Sequence, residues 1–268
     1  MSDSPIIAEI LALAGYGHIV VDHEHSPTDV RSGQRLLQAI QAANAITVNS
    51  KGASHQITEP IVRLPSPNDP GYMKKVLDSM TLPGGVLVPM VDDADMARAV
   101  VRSTRYPRQM GGGQDDEILD GNRGCAAPFV RGSSWGYQFG SKDYLQRCQD
   151  DLLVMVQVET PAGVEAIPEI AAVPGVDAIF LGPFDLSTSI GKMGQFDDPE
   201  VSKLISDAEI AVKHAPSCLL AGFRPPGRSL ENMFEAGYSL VCGALDLAMI
   251  RDAAKRDADA GNDAIAKQ

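Results

Sequence analysis

The sequence predicts an α/β fold, a (β/α)8 TIM barrel, and three observations support this prediction. The length of 268 residues suits one barrel domain. Short apolar runs alternate with helical patterns along the chain, as in repeated β-α units with a parallel sheet. The interiors of these runs are nearly continuous in valine, isoleucine and leucine, as in strands that are covered on both faces. We therefore expect a single domain over residues 1–268.

The candidate strands number seven, whereas a closed barrel of this type has eight. Ser4-Pro5 fits an N-cap followed by a first-turn proline, so the chain opens on a helix that continues through Leu13. The strand expected before that helix is missing, and we predict a barrel that lacks its first strand. The candidate strands are His18–Asp22, Pro60–Leu64, Gly85–Met90, Leu153–Val158, Ala178–Leu181, Cys218–Gly222 and Leu240–Cys242.

Further helices are predicted between the strands. The tail from Asp246 to Gln268 is Ala-rich and charged, and we expect it from about residue 252 to fray or to pack on a partner subunit. Two connections, Asn44–Glu59 and Gln109–Trp135, are polar and are predicted as loops. Within the second, the acidic insertion at Gly111–Trp135 is expected beside the mouth of the active site. The predicted helices are Arg31–Ala43, Pro70–Ser79, Ala94–Thr104, Pro161–Ala172, Pro199–His214 and Ser229–Ala236.

Composition and charge exclude several classes of function. The net charge is −12, which argues against a nucleic-acid partner, because such proteins present a basic surface. No apolar run approaches the ~20 residues that cross a membrane, and Met1–Pro5 lack the features of a signal peptide. We therefore expect a cytoplasmic protein, with reduced structural thiols at Cys125, Cys148, Cys218 and Cys242.

Charged and polar residues follow four of the apolar runs directly. They are the segment Asp22-His23-Glu24-His25, Arg63, Glu159 and the segment Gly182-Pro183-Phe184-Asp185. In barrels of this type the active site lies at the C-terminal ends of the strands. We therefore expect these side chains to converge on one site.

Glu159 and Asp185 end consecutive candidate strands, and their carboxylates can meet at one hard cation. Two protein oxygens, completed by water or substrate, suit Mg²⁺ or Mn²⁺. A simple helix cap is the alternative for Glu159, since Thr160-Pro161 opens a helix. No lysine interrupts a candidate strand, which disfavours a Schiff-base mechanism and favours a metal as the electron sink.

The remaining residues suggest proton transfer and charge stabilisation. Asp22 can orient His25 as a base, although His23 competes for that role and spacing does not choose between them. Arg63 can stabilise an oxyanion or serve as a buried ion-pair partner. The turn Gly182–Asp185 can hold a substrate carboxylate on its N–H groups or can be an ordinary Gly-Pro turn.

A set of motifs between about residues 5 and 250 resembles the HpcH/HpaI aldolase/citrate lyase family. No single motif is specific, but their order along the chain is. The motifs are Val20-Val21-Asp22-His23-Glu24-His25-Ser26-Pro27, Val62-Arg63-Leu64-Pro65, Asn68-Asp69-Pro70, Val86-Leu87-Val88-Pro89-Met90-Val91, Arg105-Tyr106-Pro107, Arg123-Gly124, Val156-Gln157-Val158-Glu159-Thr160, Gly175-Val176-Asp177 and Leu181-Gly182-Pro183-Phe184-Asp185-Leu186-Ser187.

The resemblance implies a phosphoenolpyruvate/pyruvate-type barrel and a metal-dependent aldolase that forms homo-oligomers. Such an enzyme cleaves a 4-hydroxy-2-oxo acid to pyruvate and an aldehyde through an enolate stabilised by Mg²⁺, Mn²⁺ or Co²⁺. The alternatives are an oxaloacetate decarboxylase, a macrophomate-synthase-like enzyme that forms carbon–carbon bonds, and a degenerate barrel without catalysis.

The resemblance also assigns roles to individual residues. Glu159 and Asp185 would bind the metal, and His25 would be the base. Asp78 would support the basicity of His25 through water, and Arg63 would stabilise the developing charge. The residues implied to bind the oxo acid are Gln157, Gly182, Pro183, Phe184 and Asp185.

Overall fold

Seven parallel strands form one sheet in which each strand pairs with the next one along the chain. The structure is a computed structural model that describes residues 2–52, 54–107, 120–141, 144–215 and 217–267. The sheet confirms the predicted parallel β/α arrangement. The strands are β1 His18–Asp22, β2 Glu59–Arg63, β3 Gly84–Val88, β4 Leu152–Val158, β5 Ala178–Leu181, β6 Leu219–Phe223 and β7 Tyr238–Cys242.

Helices connect the strands, and side chains cap many of them as the sequence predicts. The Ser4 hydroxyl accepts the N–H of Ile7 at the start of α1, and Asp29 forms a capping box with Ser32 in α2. The helices are α1 Pro5–Leu13, α2 Val30–Lys51, α3 Pro70–Ser79, α4 Ala94–Thr104, α5 Tyr144–Asp150, α6 Pro161–Glu165, α7 Ile167–Ala171, α8 Pro183–Ser189, α9 Pro199–Lys213, α10 Leu230–Glu235 and α11 Asp246–Ala266.

The sheet separates two layers of apolar side chains. Alternate residues of the strands, such as Ile61, Leu87, Met155 and Phe180, form an inner cluster. The intervening strand residues pack against the helices in a larger outer cluster. Because side chains alternate across a strand, the residues two positions after the inner ones, such as Arg63 after Ile61 and Gln157 after Met155, also point into the barrel.

The sheet is open between β1 and β7, as the predicted loss of the first strand requires. Among the described residues, no backbone pairing joins β7 to β1. The His18 Nε2 and Cys242 Sγ atoms lie 3.6 Å apart across the opening. A cavity of about 480 Å³ extends through it from Arg63 to Ser2. We call this opening between β1 and β7 the seam.

Several elements differ from the predictions. The helix predicted to end at Ala43 continues to Lys51, because Ala43 and Thr47 continue its buried face. The predicted helix Pro161–Ala172 is divided into α6 and α7 near Pro168, which has no N–H to donate. The short helices α5 and α8 were not predicted from the sequence.

The described residues 120–135, which follow α4, lie at the end of the barrel opposite the predicted active-site mouth. In its described part, the N–H of Asn122 donates to the carbonyl of Arg102, and Arg131 Nη1 donates to the carbonyl of Ser79. These carbonyls are near the C-terminal ends of α4 and α3. Since the helices run antiparallel to the strands, those ends lie where the strands begin, opposite the strand ends that carry the predicted site. Residues 108–119 lie outside the described part of the chain.

The C-terminal helix α11 continues through Ala266, and fraying of the tail from about residue 252 stays a prediction. None of its described residues is buried. Asp246 accepts hydrogen bonds from the backbone and hydroxyl of Ser2, which tie the start of α11 to the N-terminal segment. Contact of α11 with a partner subunit stays a prediction. Among the described helices, none combines the length and apolar character needed to span a bilayer.

Candidate active site

Charged side chains from four strand ends meet at one end of the barrel. Asp22 and Arg63 are the last residues of β1 and β2, and both are buried. Glu159 follows β4 and is 1% exposed, and Asp185 lies in the first turn of α8, after β5. The structure therefore brings together the two metal ligands and the arginine that the sequence predicted.

Two carboxylates hold the guanidinium of Arg63. Its Nε donates to Asp22 Oδ1 at 2.8 Å, and its Nη1 lies 3.0 Å from Glu24 Oε2. The guanidinium carbon also stands 5.3 Å from the centre of the Phe223 ring. Burial alone would lower the pKa of Arg63, but Asp22 and Glu24 outweigh burial and hold it above its ordinary value. Arg63 is therefore a fixed cation.

Glu159 is a buried carboxyl that lies beside a second one. Its Oε1 accepts the N–H of Met90 at 3.0 Å, and its Oε2 accepts Gln157 Nε2 at 2.6 Å. Burial, opposed by the Gln157 hydrogen bond and reinforced by a hydrogen bond with Asp185, raises the pKa of Glu159 to about 8. Two carboxyls that share a proton in this way can share a cation instead.

The donor set of this site fits a divalent cation. Glu159 and Asp185 form the carboxyl pair that could hold it, whereas Asp22 and Glu24 pair with the Arg63 guanidinium. The buried Oε1 atom of Gln157 has no hydrogen-bond donor among the described residues. Hard oxygens and excess negative charge favour Mg²⁺ or Mn²⁺. No set of three or more potential His, Cys, Asp or Glu ligands clusters within the described ranges, so water or substrate would supply the other ligands.

Two backbone features position Glu159. Gly182 allows a close approach, because a Cβ there would lie 2.6 Å from Glu159 Oε2 and 3.1 Å from Gln157 Nε2. Met90 adopts a left-handed conformation with φ of 54°, from which its N–H reaches Glu159. The sequence did not reveal the role of Met90, since methionine is no marker of that conformation.

The two candidate bases have different surroundings. The His25 side chain is 55% exposed, and its Nε2 lies 3.6 Å from Glu24 Oε2 beside Arg63. His23 is buried, its Nδ1 shares a hydrogen bond of 2.8 Å with the Tyr72 hydroxyl, and a Cβ at Gly33 would meet its Nε2 at 2.4 Å. His23 therefore packs against α2 and α3, while His25 faces the charged cluster.

Asp78 is the one predicted catalytic residue that the structure does not bring to the cluster. It lies in the last turn of α3, and Arg123 Nη2 donates to its Oδ1 at 2.9 Å. The guanidinium of Arg123 stacks on Tyr106, 4.6 Å from the ring centre. Because α3 runs antiparallel to the strands, this end of the helix is remote from His25. Asp78 therefore pairs with Arg123, and its expected support of His25 stays a prediction.

The turn after β5 forms the start of α8. Gly182 caps this helix without a side-chain hydrogen bond, and Pro183 has no N–H. The first N–H groups of α8 therefore belong to Phe184 and Asp185, and a substrate carboxylate can accept them. The ring of Phe184 is half-exposed and packs edge-on against Phe196, with ring centres 4.9 Å apart.

Comparisons with known proteins agree with this architecture. The family model described as HpcH/HpaI aldolase/citrate lyase matches residues 1–253. A hydroxypyruvate/pyruvate aldolase of Roseovarius nubinhibens is 37% identical over 213 residues, which cover 79% of this chain and 70% of the relative. A 4-hydroxy-2-oxo-heptane-1,7-dioate aldolase of Escherichia coli is 36% identical over 251 residues, which cover 92% and 83%.

Solved structures show the same fold. The crystal structure of an HpcH/HpaI aldolase/citrate lyase family protein from Burkholderia cenocepacia superposes with a TM-score of 0.81 and 32% identity. The superposition covers 97% of this chain and 91% of that one. The similarity therefore extends through the barrel rather than to a single motif.

Proposed function

Since the chain belongs to the HpcH/HpaI aldolase/citrate lyase family and is a carbon–carbon lyase, we propose that it cleaves a 4-hydroxy-2-oxo acid to pyruvate and an aldehyde. We assign its barrel to the phosphoenolpyruvate/pyruvate type. The observation that carries the proposal is the carboxyl pair Glu159 and Asp185 beside the fixed guanidinium of Arg63. That combination suits a substrate whose carboxylate and ketone oxygens lie next to each other.

Glu159 and Asp185 would hold a divalent cation, with Mg²⁺ or Mn²⁺ favoured by the oxygen donors and Co²⁺ as a third choice. When bound, the cation supplies Lewis-acid stabilisation of negative charge on the 2-oxo group. Gln157 and the N–H groups of Phe184 and Asp185 would orient the oxo acid. Gly182 and Pro183 would shape the turn against which it lies.

The protein side chains would carry out the proton and charge steps. His25, directly or through water, takes the proton of the C4 hydroxyl. The C3–C4 bond then breaks, the C4 oxygen becomes the aldehyde carbonyl, and the electron pair of the bond passes to the pyruvate enolate. Arg63 stabilises the negative oxygen, and Asp22 holds Arg63 in place. A proton delivered to C3 completes pyruvate.

Pyruvate release tests this proposal directly. The protein is incubated with 4-hydroxy-2-oxo-heptane-1,7-dioate or with oxaloacetate, in Mg²⁺ or Mn²⁺ and again with EDTA. We expect release from the hydroxy acid that depends on the cation. Release from oxaloacetate alone would favour the decarboxylase alternative. Folded protein that releases pyruvate from neither compound would contradict the proposal.

The curated relatives suggest a second arm for the same assay. Because one of them is named a hydroxypyruvate/pyruvate aldolase, the reverse reaction is run with either oxo acid and one aldehyde. Condensation with pyruvate is the expected outcome. Condensation with hydroxypyruvate alone would support aldolase chemistry with hydroxypyruvate, rather than pyruvate, as the oxo acid that adds to the aldehyde.

A further inference from the structure

Glu24 is a carboxyl in the charged cluster to which the proposed reaction assigns no step. Its side chain is 14% exposed, and its Oε2 atom is buried. That atom lies 3.0 Å from Arg63 Nη1 and 3.6 Å from His25 Nε2. The N–H of Glu24 donates to Asp22 Oδ1 at 3.1 Å, which fixes the bend after β1. Glu24 therefore faces both the guanidinium and the imidazole.

A carboxylate beside one ring nitrogen determines what the other nitrogen can do. It keeps the proton on the near nitrogen, leaves the lone pair on the far one, and stabilises the imidazolium that forms when the far nitrogen takes a proton. A separation of 3.6 Å is an ion-pair distance rather than a hydrogen bond, and such contacts often tighten when substrate binds.

The other nearby carboxyls have different contacts. Asp22 accepts Arg63 Nε and the backbone N–H groups of Glu24 and His25. Asp78 pairs with Arg123 at the far end of α3. In the described part of the chain, the ion-pair partner of His25 is Glu24.

We propose that Glu24 is the positioning residue of His25, holding the proton on Nε2 so that Nδ1 is the atom that receives the C4 hydroxyl proton. This inference rests on the proposed aldol cleavage. Oxaloacetate has no C4 hydroxyl, so its decarboxylation uses Arg63 but not this proton transfer. Glu24→Gln retains a side chain of the same shape beside Arg63 Nη1 and removes the charge that faces His25. Asp22 and Phe223 still hold the guanidinium in that variant.

The test compares two reactions in the full-length protein with Mn²⁺. Rates of aldol cleavage and of oxaloacetate decarboxylation are measured for wild type, Glu24→Gln, Glu24→Asp, Asp22→Asn, His25→Ala and the double variant Glu24→Gln/His25→Ala. Glu165→Gln, at an exposed position of α6, is the matched control. We expect Glu24→Gln to lower the ratio of cleavage to decarboxylation about tenfold through kcat. Glu24→Asp should recover part of that loss, and Asp22→Asn should lower both rates together.

The double variant shows whether Glu24 acts through His25. If it does, adding Glu24→Gln to His25→Ala leaves the ratio within about twofold of His25→Ala alone. A further tenfold fall in the double variant, or a wild-type ratio in Glu24→Gln, would overturn the inference.

Nitrogen NMR of the His25 ring gives a readout that does not depend on turnover. We expect the neutral ring of wild type to carry its proton on Nε2, and the population of that tautomer to decrease in Glu24→Gln. Unchanged tautomer populations would count against the inference. Wild-type protein that cleaves no hydroxy acid would instead refute the proposed function.

Discussion

The two sides of the barrel differ in how completely the strands are covered. Every residue of β3 and β5 is buried, whereas three of five residues in β1 and four of five in β7 are partly or fully exposed. The covered side carries Glu159 and Asp185, and the seam side carries Asp22, Glu24 and His25. The proposed cation ligands thus stand on the closed part of the sheet, and the proton-transfer residues follow a strand at its open edge.

This difference predicts two kinds of effect from substitutions. Substitutions on the closed side should remove cation binding and both reactions. Substitutions at the seam should impair the proton transfer of aldol cleavage first. The loop that carries Glu24 and His25 leaves β1, which pairs with β2 alone among the described strands.

The largest effect is expected from Glu159→Gln, on the closed side. The amide keeps an oxygen for the N–H of Met90 but loses the charge that would hold the cation. We expect metal-dependent turnover of both substrates to fall roughly a thousandfold. Mn²⁺ binding without substrate, followed by electron paramagnetic resonance, should weaken in parallel. Glu165→Gln is the matched control, and wild-type Mn²⁺ affinity in Glu159→Gln would remove Glu159 from the ligand set.

The next largest effect is expected from Gly182→Ala, whose added methyl group would press against the same carboxylate. The added Cβ would lie 2.6 Å from Glu159 Oε2, so the carboxylate must move. A displacement on the order of 1 Å at a catalytic centre can lower turnover about a hundredfold, and we expect that loss in steady-state assays.

Gly261→Ala is the control for this substitution, because an added Cβ there meets nothing within 4 Å. In the helix α11 it should raise the free energy of unfolding by about 1 kcal/mol, measured by urea denaturation. Similar activity losses in both alanine variants would show that the close approach at Gly182 is not what matters.

The sequence predicted the strands and the charged strand ends well, for a local reason. Apolar runs mark the strands in the sequence, and the residues that follow each run are seen there as well. Arg63, Glu159 and Asp185 could therefore be placed at one end of the barrel. The choice between His23 and His25 could not be made, because it depends on Tyr72 and Gly33, which lie on other elements.

The position of Asp78 could not be predicted from its sequence context. The resemblance implied a role for it, but its position near the end of α3 places it with Arg123. Glu24 belongs to the Asp-His-Glu-His segment, yet the sequence did not reveal its ion pair with Arg63, which arises from the register of β1 against β2. Contacts between elements therefore decide what local patterns leave open.

The seam side leads to a prediction about assembly. Ile6, Ile10 and Leu13 on α1 and Ile250 on α11 are exposed apolar residues. We predict that a partner subunit covers them in a homo-oligomer. Ile10→Glu should weaken association at least about tenfold, because burial of an unpaired charge is costly. Sedimentation velocity measures the change.

Ile46→Glu is the control for assembly, since Ile46 is 48% exposed on α2 and Ile10 is 58% exposed. Aldol cleavage should fall more than Mn²⁺ affinity in Ile10→Glu, as the contrast between the two sides requires. A monomeric wild type, or equal dissociation in both variants, would show the assembly prediction to be wrong.

The smallest effect concerns stability and pH on the closed side. Burial, opposed by Gln157 and reinforced by Asp185, raises the pKa of Glu159 to about 8, whereas an ordinary glutamate titrates near about 4.3. The folded state therefore binds this proton more tightly than the unfolded state does. The contribution of Glu159 to the free energy of unfolding is therefore complete below the pKa of the unfolded state. It is lost as pH rises toward the pKa of the folded state.

A bound cation would replace the shared proton, so the loss of stability with rising pH should be seen when metal is removed. In EDTA, we expect the Tm of wild type to fall several degrees further than that of Glu159→Gln between about pH 5 and pH 8. The Tm gain on adding Mn²⁺ should be larger at the upper pH, because Glu159 then binds it without releasing a proton. Parallel Tm curves for wild type and Glu159→Gln would contradict the raised pKa of Glu159.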